Sequence, residues 1–457
     1  MQDLTTGSLA RHLFATGGFM LFTMVFQTLY FLADLYWMGR LGKEAVAAVG
    51  VAGNLTFVVL ALTQMLGVGT TTLVSHAVGR KDPDGARRVF NQAQSMSLLA
   101  GAGFLVVGLM CTPAYAAAFS ADAATAVLVR QFLWWFVPAM ALQFALVAVS
   151  SALRGMGDFK PGMIVGSSTV VLNMALAPVL IFGWGTGRPL GVAGAAIASL
   201  VAIAVGVTWL YFYAERPGSI LRVRAAEMRP ETATWQRLLG IGLPAGVEFG
   251  LIAVYMAVVY VVSQPFGSAA QAGFGIGQRV GQSGFMPIVA LGFAVAPVAG
   301  QNFGAGRADR VKATFFMAAK LSLAGTAVFV AICQLFPATL IRAFSTDPAV
   351  VAVGEEYLRI VSWNYLAAGL VFVTSSMFQA MGNTKPSLIA SCIRVVIVAI
   401  PAFVLSSWPG FHLVWVWYLT VVSVTLQLAL SLWLLRREFA VRLRPAASTA
   451  QPEPSIG

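Results

Sequence analysis

The segment SSALRGMGDFKP at residues 150–161 reappears as SSMFQAMGNTKP at residues 375–386. A shift of 225 residues overlays the two segments, and it continues without a gap over about 145 residues. An accidental match of this length is not expected, so the two halves of the chain are predicted to be homologous. Six glycines of the first half recur at the shifted positions: Gly17, Gly42, Gly50, Gly67, Gly79 and Gly157 fall on Gly242, Gly267, Gly275, Gly292, Gly304 and Gly382.

The composition of the 457 residues indicates a membrane protein. Hydrophobic residues make up 58% and charged residues 10%, with a mean hydropathy of +0.81, whereas soluble domains carry about 25% charged residues. About 20 apolar residues span a bilayer as a helix. The apolar runs therefore predict twelve transmembrane helices, at 13–38, 45–77, 88–112, 126–153, 160–184, 190–214, 235–263, 270–300, 311–337, 349–378, 386–408 and 411–436.

The repeat and the helix count together predict the fold class, an all-α integral membrane protein with two parallel six-helix repeats around a central cavity. Six helices return the chain to the side where it started, so the second repeat enters the membrane like the first. We expect an N-terminal lobe at 1–214, a cytoplasmic inter-lobe linker at 215–237, a C-terminal lobe at 238–440 and a disordered cytoplasmic tail at 441–457. Duplicated lobes of this kind are typical of alternating-access transporters.

The basic residues predict the orientation. With the N-terminus inside, the inner segments hold 20 Lys and Arg and the outer segments hold 6, an asymmetry that places both termini in the cytoplasm. The excess of Arg over Lys favours a bacterial source, and so the bacterial inner (plasma) membrane. The net charge of +12 follows from these loops, and no nucleic-acid partner is expected.

Scattered cysteines and histidines argue against an enzyme and against a metal centre. Cys111, Cys333 and Cys392 lie far apart in apolar runs, and His12, His76 and His412 form no cluster. A membrane enzyme would need nucleophile, base or metal ligands in one group. We expect no cofactor and a monomer in the lipid bilayer, and His76, near a helix end, is expected to be structural or solvated.

Three segments resemble the multidrug and toxic compound extrusion (MATE) family. LADLYWMGRLGKEAVAAVGVA at 32–52 is similar to the family's first-helix signature, in which an Asp precedes G-R-L-G. ALRGMGDFKP, followed by Asn173, resembles its loop between helices four and five, and GQNFGAGRADR at 300–310 resembles its loop between helices eight and nine. The resemblance implies antiport, with organic cations or other toxic compounds exported in exchange for H⁺ or Na⁺.

The departures from the family pattern leave the coupling ion open. Ala177 stands where one proton-coupled branch has a second Asp, and Glu248 lies only one turn after Pro244, where a sodium-coupled branch has its Glu two turns on. The alternative within the superfamily is a flippase for lipid-linked oligosaccharides. That function would need several basic residues facing the cavity from both lobes, whereas the first lobe offers an acid and no in-membrane base.

Two of the 17 acidic residues lie well inside predicted helices, Asp34 and Glu248. A charge at mid-membrane costs from ~2.5 kcal/mol upwards, so an acid retained there usually has a function. Gln27, Tyr30 and Asp34 are spaced to share one face of the first helix, and the resemblance adds Asn173 as a hydrogen-bond partner. We predict that Asp34 is the coupling residue of the first lobe, carrying H⁺ or binding Na⁺.

Aromatic and basic residues supply the remaining candidates. Tyr30, Tyr36 and Trp37 could present ring faces to a cation, although for Trp37 a place in the interfacial aromatic belt is favoured. In the second lobe, Glu248, Lys320 and Arg394 are expected at similar depths in the membrane, counted from the cytoplasmic ends of their helices. Because an unpaired buried ion is costly, the sequence predicts an ion pair of Glu248 with Arg394 or Lys320.

Overall fold

The computed structural model describes residues 3–120, 122–185 and 187–443, and this part of the chain is helical apart from its connections. The first half forms six helices: α1 (Leu9–Leu41), α2 (Lys43–Gly79), α3 (Pro83–Phe119), α4 (Ala123–Gly155), α5 (Lys160–Phe182) and α6 (Gly191–Ala214). The second half forms α7 (Thr232–Ser263), α8 (Ser268–Gly304), α9 (Ala308–Leu335), the short α10 (Pro337–Arg342), α11 (Pro348–Val361), α12 (Asn364–Ala380), α13 (Lys385–Ser406) and α14 (Val414–Arg442).

The tenth predicted span is broken, which corrects the expectation of one continuous helix at 349–378. α11 and α12 meet at an angle of 54°. The Nε2 atom of Gln334 on α9 donates to the Arg359 carbonyl at 2.7 Å and to the Ser362 hydroxyl at 2.8 Å. These bonds satisfy polar groups where the helical ladder stops, so the break needs no proline. With this pair counted as one span, the described residues hold twelve apolar spans.

The loop motifs of the repeat form matching turns. Gly42 joins α1 to α2 at a φ of 124°, and Gly267 occupies the corresponding turn before α8 at a φ of 85°. Gly157 and Gly382 adopt φ values of 79° and 72° in the two GxxKP-type loops, a region of backbone space that favours glycine. Each loop then leads into a helix that begins Lys-Pro, with proline in the first turn, where no hydrogen bond is lost.

The two lobes contact each other through symmetry-related helix pairs, α1 with α8 and α2 with α7. Gly17 of α1 lies against Leu291 of α8. Its repeat equivalent, Gly242 of α7, lies against the carbonyl of Met65 in α2, and Met65 is the equivalent of Ala290. Equivalent positions thus make reciprocal contacts, which confirms parallel repeats related by a pseudo-twofold axis.

One end of the bundle, here named the terminus side, carries residues 3–8, the segment between Ala214 and Thr232, and the end of α14. The N-terminal segment binds the second lobe there, because the Leu4 amide donates to Oε1 of Gln301 at 3.0 Å. The other hydrogen bonds between described residues of the two lobes also lie on this side, except for a long contact of 4.0 Å from Thr28 to the Met286 sulfur.

The connections differ in length from the segments that the sequence predicts. α7 begins at Thr232, so the last six residues of the predicted linker 215–237 are helical. The linker packs on α3, where Asn91 donates to the Arg222 carbonyl and Arg87 is ion-paired to Glu227 at 3.0 Å. Of the predicted tail 441–457, residues 444–457 lie outside the described part of the chain.

Candidate functional site

Three of the first-lobe candidates, Gln27, Tyr30 and Asp34, lie on α1, and the helix orients them differently. Tyr30 and Asp34 are half-buried between α1 and the neighbouring helices, whereas Gln27 is exposed. Among the described residues, Gln27 makes none of the hydrogen bonds of the site. The helical spacing therefore brings together two of the three predicted residues, and Gln27 lies outside the group.

A serine on α6 connects the other members of the site. The phenol oxygen of Tyr30 lies 2.8 Å from Oγ of Ser199, and the Nδ2 atom of Asn173 on α5 donates to the same Oγ at 3.1 Å. Ser199 donates to the carbonyl of Ala195 at 3.1 Å. A hydroxyl carries one proton, so with that proton on Ala195 the phenol of Tyr30 must donate to Ser199. The hydroxyl protons of Tyr30 and Ser199 are then both engaged, and neither is left for another acceptor.

Asp34 adjoins this network without a hydrogen bond from it. Its Oδ1 atom is enclosed and has no hydrogen-bond partner among the described residues. Asp34 also takes part in none of the six ion pairs that join described residues. The carboxyl therefore has no counter-charge among the described residues, and one of its oxygens has no donor. The arrangement thus suits a group that exchanges a proton or a cation.

Sequence reasoning missed Ser199, although a signal exists. It is the one polar residue in the α6 stretch from Gly191 to Val207, and it is buried at 3% exposure. A lone hydroxyl in an apolar helix needs a partner, which here is the Tyr30–Asn173 pair. A search for isolated polar residues in apolar helices would have identified it.

The aromatic candidates near the end of α1 pack against one another. The Trp37 ring lies 6.0 Å from Phe182 and 5.9 Å from Trp184, measured between ring centroids. The guanidinium of Arg40 lies 5.2 Å from the Tyr36 ring centroid. These rings form a cluster at the helix end opposite the terminus side, where Trp37 makes edge-on contacts with Phe182 and Trp184.

The second-lobe acid is held by serines. The carboxylate of Glu248 on α7 accepts hydrogen bonds from Ser387 at 2.9 Å, from Ser391 at 3.1 Å and from Ser375 at 3.2 Å. Gln427 on α14 donates to Ser391 at 3.1 Å. Five oxygen atoms from three helices therefore converge, which satisfies the carboxylate without a basic partner.

The predicted ion pair of Glu248 with Arg394 or Lys320 is wrong, because none of the six ion pairs between described residues includes Glu248. α7 and α13 both start on the terminus side and run in parallel, so Arg394 lies level with Tyr255, two turns beyond Glu248. The Arg394 guanidinium accordingly lies 4.8 Å from the Tyr255 ring centroid. Lys320 is exposed on α9.

A metal centre is not a feature of the described residues, which contain no group of three His, Cys, Asp or Glu side chains that could hold a metal ion. Twelve apolar spans in two parallel lobes, with a half-buried acid in each lobe, define a membrane transporter of the duplicated type. Such a protein binds and moves its ligand and needs no catalytic residues.

Comparison with known proteins identifies the family. The MatE family model matches residues 20–179 and 244–404, one match in each lobe. A probable multidrug resistance protein, YoeA of Bacillus subtilis, is 28% identical over 425 residues, which cover 90% of each chain. An FAD transporter of Shewanella oneidensis is 25% identical over 82% of this chain and 83% of its own. The chain belongs to the MatE family of multidrug efflux transporters.

A solved structure supports the fold independently. The outward-facing conformation of a multidrug resistance MATE family transporter superimposes with a TM-score of 0.89, at 23% sequence identity, over 97% of this chain and 98% of that chain. The predicted twelve-helix fold is thereby confirmed, and the family match confirms the resemblance to the MATE family.

Proposed function

We propose that the protein is a secondary antiporter that exports small organic cations in exchange for protons, by alternating access between its two lobes. In this proposal the terminus side faces the cytoplasm of a bacterial cell, and the structure corresponds to the state open to the outside. The excess of basic residues in the terminus-side loops supports that orientation, and the lobe-to-lobe hydrogen bonds on that side support the assignment of the state.

The observation that carries the proposal is the enclosed, unpartnered Oδ1 atom of Asp34. A carboxyl in this setting takes up a proton readily from the outside and releases it when the site is exposed to the cytoplasm or when a cation arrives. Binding of the proton in one state and of the cargo in the other shifts the population between the two states. The positive charge of the cargo then takes the place of the proton.

The hydrogen-bond network beside Asp34 supports a proton rather than Na⁺ as the coupling ion. Hard cations such as Na⁺ need several oxygen ligands, and the nearby oxygens of Tyr30 and Ser199 are already bonded to each other. Asn173 directs its amide donor, not its oxygen, at Ser199. A Na⁺ ion at Asp34 would have to break this network, whereas a proton adds to the carboxyl without rearrangement.

Glu248 is the candidate for a second ion-responsive group. Its carboxylate and three serine hydroxyls supply oxygen ligands from α7, α12 and α13. Asp34 and Glu248 have no acidic counterpart at the equivalent repeat positions, which are Val259 and Thr23. This asymmetry supports separate tasks for the lobes, with the cargo-linked proton at Asp34.

The positive charge proposed for the cargo follows from the negative charge that Asp34 gives the first-lobe site. A flippase for a lipid-linked oligosaccharide would hold a pyrophosphate with basic residues from both lobes. Here the first-lobe site contains an acid, Asp34, and the basic residue Arg394 belongs to the second lobe. An acid without a counter-ion attracts cations. The lipid bilayer and a small-molecule cargo are therefore the expected partners of a monomeric transporter.

The test uses the purified protein in liposomes loaded with a fluorescent organic cation, with pH and Na⁺ gradients imposed separately. We expect an inwardly directed proton gradient to drive export and a Na⁺ gradient of equal size at constant pH to leave it unchanged. Export driven by Na⁺ alone would overturn proton coupling. Export of the cation in neither condition, with the protein correctly inserted, would overturn the choice of cargo.

A further inference from the structure

Among the hydrogen bonds that join the lobes on the terminus side, two are related to each other by the pseudo-twofold axis. The Nε2 atom of His76 in α2 lies 2.6 Å from the carbonyl oxygen of Ala380 at the end of α12. The Nε2 atom of Gln301 in α8 donates to the carbonyl of Gly155 at the end of α4, at 3.0 Å. Gln301 is the repeat equivalent of His76, and Ala380 is that of Gly155. One contact is therefore made twice, once by an imidazole and once by an amide.

The backbone around these two bonds leaves no free space. A Cβ atom at Gly79 would overlap the carbonyl oxygen of Gln301, and one at Gly304 would overlap that of His76. Ser75 of α2 and Gly300 of α8, which are also repeat equivalents, lie directly against each other. α2 and α8 thus cross at the axis, and the His76 and Gln301 bonds lie on either side of that crossing. Separating the lobes on this side must break both bonds.

The imidazole differs from the amide because it can gain a proton and a positive charge, which an amide cannot do in this pH range. A carbonyl can only accept, so His76 donates from Nε2 whether it is neutral or charged. The ring is buried at 7% exposure and lies 5.0 Å from the Phe303 ring. A proton added to the other nitrogen therefore leaves the hydrogen bond in place but creates a charge inside the closed interface.

The charged groups around the ring oppose that added proton. Three of the described arginines act on it electrostatically, Arg80 from its own helix, Arg237 from α7 and Arg442 from α14. Arg442 is partly neutralised, because it is paired to Glu438 of the same helix. α8 and α12 contribute an aromatic ring and a carbonyl at this point. Arg237 and Arg442 belong to the second lobe, so their repulsion of a charged His76 is strongest while the lobes are closed, whereas Arg80 acts in both states.

We propose that His76 is a positioning residue that makes closure of the terminus side dependent on pH, and that Gln301 is its constant counterpart. Lowering the pH on this side protonates His76 and shifts the population toward lobes that are open there. Raising the pH restores the closed state. This inference presupposes that the lobes alternate, as the proposed function does, but it is independent of the role of Asp34 because it requires neither cargo nor transport.

The test measures the distance between the lobes in the full-length protein without cargo. Lys160 and Lys385 are exposed repeat equivalents at the starts of α5 and α13, so Lys160→Cys with Lys385→Cys places one spin label on each lobe. Cys111, Cys333 and Cys392 are first replaced by serine or alanine. Pulsed electron paramagnetic resonance on the protein in lipid nanodiscs then gives the ratio of closed to open molecules at each pH.

We expect the closed-to-open ratio to fall with decreasing pH, by at most about tenfold per pH unit for one linked proton. His76→Gln copies the partner position and should keep the closed state while removing this part of the pH response. Gln301→Ala should lower the closed fraction equally at every pH. An unchanged pH response in His76→Gln would overturn the inference, because Asp34 and Glu248 would then account for all of it. A Gln301→Ala protein that remains as closed as the parent would also overturn it.

Discussion

The hydroxyl of Ser199 on α6 lies 2.8 Å from the phenol oxygen of Tyr30 on α1, one turn before Asp34. This contact directs the Tyr30 proton away from the carboxyl. We predict that Ser199→Ala frees the phenol to donate to Asp34, which stabilises the ionised carboxylate and slows proton-driven export about fivefold, as expected for a hydrogen bond of ~1 kcal/mol. The initial rate of export from liposomes measures this effect.

The matched control for Ser199→Ala is Thr208→Val on the same helix, since Thr208 is exposed and bonds only to its own helix at Ala204. This control should transport at the parental rate. Ser199→Thr, which retains the hydroxyl, should restore most of the activity. If Ser199→Ala transported as fast as the parent, the network would have no part in coupling.

The close contact between α2 and α7 gives a second prediction, which concerns two glycines of α7. A Cβ at Gly242 would overlap the Met65 carbonyl of α2, whereas no atom of a neighbouring helix lies within 4 Å of a Cβ at Gly240. Gly242→Ala should therefore destabilise the protein by about 1–3 kcal/mol through overpacking. Gly240→Ala should leave it unchanged or up to ~1 kcal/mol more stable, because alanine favours helix.

Thermal unfolding in detergent, followed by intrinsic fluorescence, compares these two variants. Gly17→Ala provides a further comparison, because its repeat-equivalent contact is looser, with the Leu291 Cα at 3.8 Å from the added Cβ. We expect it to unfold close to the parent. Equal melting temperatures for Gly242→Ala and Gly240→Ala would contradict the close approach of α2 and α7.

The serine cluster gives a third prediction, about Glu248. Glu248→Ala removes the acceptor of three hydroxyls in a site between helices, and leaving buried polar groups unpaired costs about 1–3 kcal/mol. Glu248→Gln retains one acceptor and the side-chain volume, so it should lose less. A lower unfolding temperature for Glu248→Ala than for Glu248→Gln, measured in the same detergent, checks this order.

The outcome for transport distinguishes the two roles of Glu248. If Glu248→Gln is as stable as the parent but loses ion-driven export, the cluster is an ion site. If it is stable and transports normally, the cluster serves to hold α7, α12 and α13 together. A Glu248→Ala protein as stable as the parent would show that the three hydrogen bonds are not needed for the fold.

Much of the fold could be predicted from the sequence because its signals are long and additive. Each span is a run of apolar residues, and the overlay of 150–161 on 375–386 relates the two lobes directly. The break at Ser362 could not be predicted, since no proline marks it and the stabilising donor, Gln334, comes from another helix. Such a contact depends on packing between distant segments.

The site was less predictable, because the partners of its acids and the depth of Arg394 along its helix depend on how the helices pack. Asp34 and Glu248 stand out because acids are rare in apolar helices. Their partners are serines, which are common in such helices and carry no distinctive pattern. In the structure α7 and α13 run side by side, and Ser387 lies level with Glu248. Arg394 therefore lies two turns beyond Glu248, a difference in depth that a count from the helix ends does not show.

The central claim is that Asp34 couples export to the proton gradient, and the most direct measurement uses Asp34→Asn. This variant keeps the shape of the side chain and removes its titration. Parent and variant are reconstituted at matched amounts, their insertion is checked, and export of the fluorescent cation is recorded under an imposed proton gradient. Export by the variant is expected to fall to the level of liposomes without protein. Gradient-driven export at the parental rate by correctly inserted Asp34→Asn would contradict it.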